Sequence, residues 1–205
     1  MVEATRLRGL YAVTDPALNE RLIAAVAEAL EAGIRIVQYR DKRDDAPRRE
    51  MEAIMLRALT RRHDALLIVN DDPGLAAAVQ ADGVHLGRDD PDIAEARQLL
   101  GPQAIVGVSC YDSLELARKA AAAGADYVAF GSVYPSSTKP DAVHAPLDLL
   151  TAAKRELGIP VCAIGGIAPA NAGPVLAAGA DMLAVVSSIF SAPDIQQAVR
   201  DFPLS

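Results

Sequence analysis

Residues 113–134 read SLELARKAAAAGADYVAFGSVY, and this stretch holds the unit from which the chain is built. Ser113–Ala123 has the composition of an alanine-rich amphipathic helix, alanine being the residue that enters a helix most readily. Gly124 stands where a helix stops in the left-handed conformation, which glycine adopts at little cost. Tyr127–Phe130 is a short, wholly apolar run, as expected of a strand covered on both faces. A polar loop from Gly131-Ser132 follows it. The same order recurs in PANAGPVLAAGADMLAVVSS, residues 169–188.

Working outward, strand-like runs occur at Leu10–Val13, Ile34–Tyr39, Ala65–Val69, Gly83–Leu86, Ala104–Val108, Tyr127–Phe130, Val161–Ile164 and Met182–Val186. Helical stretches lie between and after them, at Glu20–Glu31, Arg48–His63, Leu75–Gln80, Ile93–Leu100, Ser113–Ala123, Leu147–Leu157, Pro169–Ala178 and Asp194–Arg200. Gly33, Gly83, Gly124 and Gly179 are expected to end helices. Pro47, Pro73, Pro91, Pro146, Pro169 and Pro193 stand near helix starts, where a missing N–H costs least. Strict alternation of eight strands and eight helices implies a parallel sheet with right-handed crossovers. It closes naturally as an α/β (β/α)₈ TIM barrel, a single domain over residues 1–205. An open six- or seven-stranded sheet is the alternative, reached if one strand assignment fails.

The totals narrow the function. The 205 residues lie at the lower end for a barrel enzyme, and a net charge of −7 argues against a sequence-independent grip on nucleic acid. Anionic small substrates stay compatible, because local cations can reverse the field in one pocket. Cys110 and Cys162 sit in or beside apolar runs without a Cys-x-x-Cys motif, and are expected to be buried, reduced thiols. No signal peptide or 18-residue apolar run is evident, so a cytoplasmic chain without a membrane partner is expected. A homo-oligomer is left open.

In such a barrel the reacting groups stand on loops after the carboxyl ends of the strands. The polar clusters fall there: Gln38-Tyr39-Arg40-Asp41-Lys42, Asn70-Asp71-Asp72, His85-Leu86-Gly87-Arg88-Asp89-Asp90, Ser109, the loop Gly131–Lys139, Gly165-Gly166, and Ser187-Ser188. Arg40, Lys42 and Lys139 are cations suited to phosphate oxygens. Asp71 and Asp90 form an acidic pair of the kind Mg²⁺ uses, with water and substrate phosphate completing its shell. Gly165-Gly166 and Val186-Ser187 offer backbone donors after strands seven and eight, where barrels often hold a phosphate. One subsite thus suits a diphosphate and the other a monophosphate.

These residues match a known family. Gln38-x-Arg40-x-Lys42, Asn70-Asp71, Asp82-Gly83-Val84-His85-Leu86-Gly87, Gly107-Val108-Ser109, Tyr134-Pro135-Ser136-Ser137-Thr138-Lys139, Ala163-Ile164-Gly165-Gly166-Ile167 and Val185-Val186-Ser187 resemble thiamine-phosphate synthases, in order from Leu10 to Ile189. The resemblance implies that a pyrimidine methyl diphosphate binds Gln38, Arg40, Lys42, Asn70, Ser109 and Lys139, with Tyr39 and Asp41 counted in the same stretch. It implies Mg²⁺ on Asp71 and Asp90, and a thiazole phosphate on Ser136, Ser137, Thr138, Gly166, Val186 and Ser187. Arg40, Lys42, Ser109 and Lys139 would carry catalysis by stabilising a departing diphosphate before the thiazole nitrogen adds to a pyrimidinylmethyl cation. The chain departs from the family at Ser132, where proline is frequent, and at Ser136, where threonine is common.

Plainer readings stand beside these. Asp71, Asp72, Asp89 and Asp90 all lie just before a proline and a helix, where acids serve as caps, and residue chemistry alone does not choose between cap and ligand. Asp72 is expected to cap and Asp71 to turn inward. His85, inside a strand, is expected to be a hydrogen-bonded core group, and Tyr11, Tyr39, Tyr127 and Tyr134 to be packing residues. The rival functions are a tautomerase-like isomerase on the same barrel and a barrel that binds a phosphate ligand without turnover.

Overall fold

The structure, a computed structural model, describes residues 6–88, 90, 92–135 and 143–203. Eight parallel strands form a closed barrel in sequence order: β1 (Gly9–Val13), β2 (Ile36–Tyr39), β3 (Leu66–Asn70), β4 (Gly83–Leu86), β5 (Ile105–Tyr111), β6 (Tyr127–Phe130), β7 (Val161–Ile164) and β8 (Met182–Val185). β8 returns to pair with β1, which removes both sheet edges. The helices are α1 (Leu22–Glu31), α2 (Ala46–Arg62), α3 (Pro73–Ala78), α4 (Ile93–Leu100), α5 (Leu114–Ala122), α6 (Leu147–Leu157), α7 (Pro169–Ala177), α8 (Ser187–Phe190) and α9 (Ile195–Arg200). Each expected strand and helix is present. α8 and a 3₁₀ turn at Pro16–Arg21 were not expected, because one or two turns are too short to show a hydrophobic period.

Strand alternation sorts the side chains. Leu10, Ala12, Val37, Tyr39, Leu67, Val69, Val128 and Phe130 face outward and join the layer packed under the helices. Tyr11, Val13, Ile36, Leu66, Ile68, Ile105, Tyr127, Cys162, Met182 and Ala184 fill the barrel. The interior is apolar low down and turns polar toward the carboxyl ends, where Gln38 and His85 are buried. Cys110 and Cys162 are free and buried, and desolvation pushes each thiol up to about 12, so both stay protonated.

The amino-terminal rim is tied by a repeated device. Asp82, Asp126 and Asp181, each just before an even-numbered strand, accept from the backbone N–H of Leu67, Val106 and Val161 at 2.8 Å. Each also takes a cation from a neighbouring helix: Arg57, Arg97 and Lys154 respectively. Three strand starts are thereby fixed away from the mouth, on the face that serves stability. Gly83 corrects its expected role. It lies within β4, and a Cβ there would meet the Ile105 carbonyl oxygen at 2.0 Å, so glycine is required by strand contact rather than by a helix end. Gln80, with φ of 53°, takes the left-handed position after α3.

Candidate active site

The carboxyl ends of the strands surround a cavity of about 740 Å³, within the usual range for small-molecule sites. Gln38, Arg40, Asn70 and Ser109 line it from on or just after β2, β3 and β5, Gly166 from the loop after β7, and Val186 and Ser187 from the turn of β8 into α8. The inward period of two explains the first group. Gln38 and Arg40 are two residues apart and share a face, whereas Tyr39 between them must point out.

Tyr39 and Asp41 are accordingly not brought to the cavity. The Tyr39 hydroxyl donates to Glu52 of α2 at 2.8 Å. Asp41 is buried and clamped by Arg43, whose Nε and backbone N each donate to it at 2.9 Å. Burial pushes the Asp41 carboxyl up, but the Arg43 contacts outweigh this and hold it below its ordinary value. Both residues therefore brace the β2 loop from behind. Thr14, at the end of β1, braces it from the side: its Oγ accepts from the Arg40 backbone N–H at 2.9 Å. Among the described residues the Arg40 guanidinium makes no hydrogen bond or ion pair, so its donors are left for a ligand.

Lys42, Asp71 and Asp90 form a cluster at the rim. Lys42 Nζ lies 2.8 Å from Asp71, and the side chain of Lys42 is more than half exposed, so this pair adds little stability. Asp71 occupies the left-handed region with φ of 62° and meets Asp90 through a side-chain hydrogen bond. Burial pushes both carboxyls up; for Asp71, Lys42, Asp90 and Asn70 overcome it and hold the carboxyl below its ordinary range. Asp90 is raised by burial and by the Asp71 carboxylate against it. The caps of the following helices are Asp72, which accepts from Leu75, and Asp92, which accepts from Glu95. Asp72 thus matches its expected role, and Asp92 rather than Asp90 caps α4.

The second half of the mouth is made of backbone. Tyr134 N donates to Gly165 O at 3.1 Å, and Asn171 Nδ2 donates to Gly166 O at 2.9 Å. With both carbonyls engaged, the amide N–H groups are what this loop offers a ligand, an arrangement suited to an anion. Gly166 has φ of 63°, and a Cβ would lie 2.4 Å from the Pro135 carbonyl oxygen. Gly166→Ala is therefore expected to lower stability by roughly 1–3 kcal/mol and to raise the KM of a phosphorylated ligand on this side. A thermal melt and a KM measurement check this; an unchanged KM would free the loop from phosphate binding. Ser136, Ser137, Thr138 and Lys139 lie outside the described residues.

Residues without an assigned role also line the cavity. Arg88 lies 4.7 Å over the Tyr111 ring, and both reach the cavity, as does Asp112. β5 extends three residues beyond its apolar run, with an irregularity between Ser109 and Tyr111, which carries Tyr111 to the mouth. No hydrophobic pattern marks such an extension. His85 is buried and hydrogen-bonded as expected, yet its Nε2 lies 2.8 Å from Ser109 Oγ, so it also touches the site.

A family model for thiamine monophosphate synthase matches residues 10–189. The chain belongs to that family. The thiamine-phosphate synthase of Thioalkalivibrio sulfidiphilus is 59% identical over 197 residues, 95% of this chain and 93% of that one. That of Thiobacillus denitrificans is 56% identical over 94% of this chain and 92% of its own length. A solved thiamine phosphate pyrophosphorylase from Pyrococcus furiosus superposes with a TM-score of 0.88 at 39% identity, covering 97% of this chain and 94% of that one. Membership of the synthase family thus extends across both halves of the mouth.

Proposed function

We propose that the chain is a thiamine-phosphate synthase, a transferase that joins 4-amino-2-methyl-5-(diphosphooxymethyl)pyrimidine to a thiazole phosphate, releasing diphosphate. One observation carries the reading: a single cavity has side-chain donors on one side, including the Arg40 guanidinium, which has no partner among the described residues, and a backbone-donor loop on the other. The first suits a diphosphate and the second a monophosphate. Relatives named thiamine-phosphate synthase align over nearly the whole chain, including both sets.

The chemistry follows from charge. The methylene C–O bond breaks and its electron pair leaves on the diphosphate, where Arg40, Lys42 and Lys139 balance the developing charge. Gln38 holds the pyrimidine ring, and Asn70 and Ser109 donate to the diphosphate oxygens. The ring amino group stabilises the pyrimidinylmethyl cation, which accepts the lone pair of the thiazole nitrogen to form the new C–N bond. Gly166, Val186 and Ser187, with Ser136, Ser137 and Thr138, align that nitrogen by gripping its phosphate, and such alignment is itself a large part of catalysis. No strong base is required, because no proton is removed in the bond-making step.

Asp71 and Asp90 fit a divalent cation: two carboxylates in hydrogen-bond contact repel when both are ionised, and a cation between their loops relieves that. Among the described residues no cluster of three His, Cys, Asp or Glu forms; Asp71 and Asp90 are the two carboxylates they bring together, and water and phosphate suit the remaining positions of Mg²⁺. When bound, the ion supplies positive charge to the diphosphate oxygens. Asp71→Asn is expected to raise the Mg²⁺ concentration for half-maximal rate by at least roughly 10–100-fold, the scale already seen for lost outer-shell partners of a metal. An unchanged Mg²⁺ titration would remove Asp71 from the metal site.

The identity of the product tests the reading. Purified protein supplied with both substrates and Mg²⁺ is expected to form thiamine phosphate, identified by mass spectrometry. Thiazole phosphate altered without joining the pyrimidine would favour an isomerase instead.

A further inference from the structure

Five polar side chains cross the barrel interior in an unbroken line. Gln38 Nε2 donates to the Tyr11 hydroxyl at 2.7 Å, and Tyr11 and Tyr127 hydroxyls lie 2.8 Å apart. Tyr127 OH lies 2.9 Å from His85 Nδ1, and His85 Nε2 lies 2.8 Å from Ser109 Oγ. Gln38, Tyr11, Tyr127 and His85 are all buried, and desolvation pushes both phenols above their ordinary values, so they stay neutral and each holds one proton. The line is built on purpose-shaped backbone: a Cβ on Gly107 would lie 2.0 Å from Tyr127 Cζ, so only glycine lets that ring reach across. Its two ends, Gln38 and Ser109, are cavity-lining residues, and its three middle members are not.

We infer that Tyr11, Tyr127 and His85 are positioning residues that fix the amide of Gln38 and the hydroxyl of Ser109 as a matched pair and thereby select the pyrimidine ring; this rests on the transferase reading above. Counting protons gives the direction. With Gln38 donating to Tyr11, the single Tyr11 proton goes to Tyr127, and the Tyr127 proton goes to His85 Nδ1. His85 is then neutral with its proton on Nε2, which donates to Ser109. Ser109 keeps its own proton free for the cavity, and Gln38 is left with its carbonyl oxygen and the second proton of its amide to face a ligand. A ring bearing an amino donor beside Gln38 and an anion beside Ser109 satisfies both at once. Reversing the line would present an amide NH₂ and a hydroxyl lone pair, which suit a ring with an oxo group instead. Reversal needs every member to turn together, and a partly turned line leaves a buried donor facing a donor, so the selection is cooperative.

Two measurements test this. Nitrogen-15 spectra of the His85 imidazole in the full-length protein at neutral pH are expected to show a protonated Nε2 and a bare Nδ1. A protonated Nδ1, or an imidazolium, would overturn the direction of the line. Calorimetric binding of the amino pyrimidine methyl diphosphate and of its 4-oxo analogue then reads selectivity, since the shared diphosphate cancels from the ratio. Tyr127→Phe and, independently, Tyr11→Phe are expected to cut the amino-over-oxo preference about ten-fold, the scale of one exchanged buried hydrogen bond. Loss of affinity for both rings equally, in whichever variant folds, would reduce the tyrosines to packing and overturn the proposal. If the wild-type protein bound neither diphosphate while His85 kept its Nε2 proton, the transferase reading would fall and the ring selection with it.

Discussion

Arg40→Ala is expected to lower kcat/KM by roughly two orders of magnitude or more, the scale of a lost transition-state donor. The guanidinium faces the cavity, and among the described residues no partner of its own competes for it. Removing it therefore strips charge from the leaving diphosphate without leaving a buried group unpaired, and the melting temperature should stay close to wild type. Lys139→Ala is expected to act in the same way, and the two losses should be less than additive because both cations serve one leaving group. Steady-state kinetics with the pyrimidine diphosphate as the varied substrate measures this. Near-normal rates in both variants would move the diphosphate site elsewhere.

Gly107→Ala is expected to cost about 3 kcal/mol, the upper part of the range for overpacking a filled core. The added Cβ would lie 2.0–2.4 Å from three atoms of Tyr127, and Gly107 and Tyr127 are direct partners across the β5–β6 ladder. Neither can step aside without moving a strand of a closed barrel. A loss of that size lowers the melting temperature by roughly 6–12 °C in a chain of this length. Gly173→Ala is the control: it lies in α7 with nothing within 4 Å of its Cβ, and alanine there should be neutral or stabilising. Thermal melts of the two variants decide the matter, and equal melting temperatures would mean that Tyr127 is not held against Gly107.

Much of this molecule was legible in its residues because the barrel repeats one pattern eight times. Apolar runs such as Tyr127–Phe130 and Val161–Ile164 coincide with β6 and β7, since strands covered on both faces leave no polar residue to blur their ends. Gln38, Arg40, Asn70 and Ser109 were legible as cavity residues for the same reason: they follow apolar strands on the carboxyl side. What was hidden depends on facing and on single contacts. Tyr39 sits in the same motif as Gln38 and Arg40, but the two-residue period turns it toward Glu52. Asp41 is taken by Arg43, two residues on, a pairing that a string of loop charges does not announce. Gly83 and Gly107 read as helix-end or motif glycines, while the requirement at each comes from the next strand across. The polar line from Gln38 to Ser109 was invisible because its members come from five different strands, and distance along the chain says nothing of it.

Diphosphate release is the sharpest test of the transferase chemistry. Purified protein is incubated with the amino pyrimidine methyl diphosphate, the thiazole phosphate and Mg²⁺, and with each left out in turn, while inorganic pyrophosphate is followed. Release that requires all three, one pyrophosphate for each thiamine phosphate formed, is the predicted result. Absence of release with the complete mixture, although thiazole phosphate still binds, would contradict the transferase and leave a barrel that recognises a phosphorylated thiazole for another purpose.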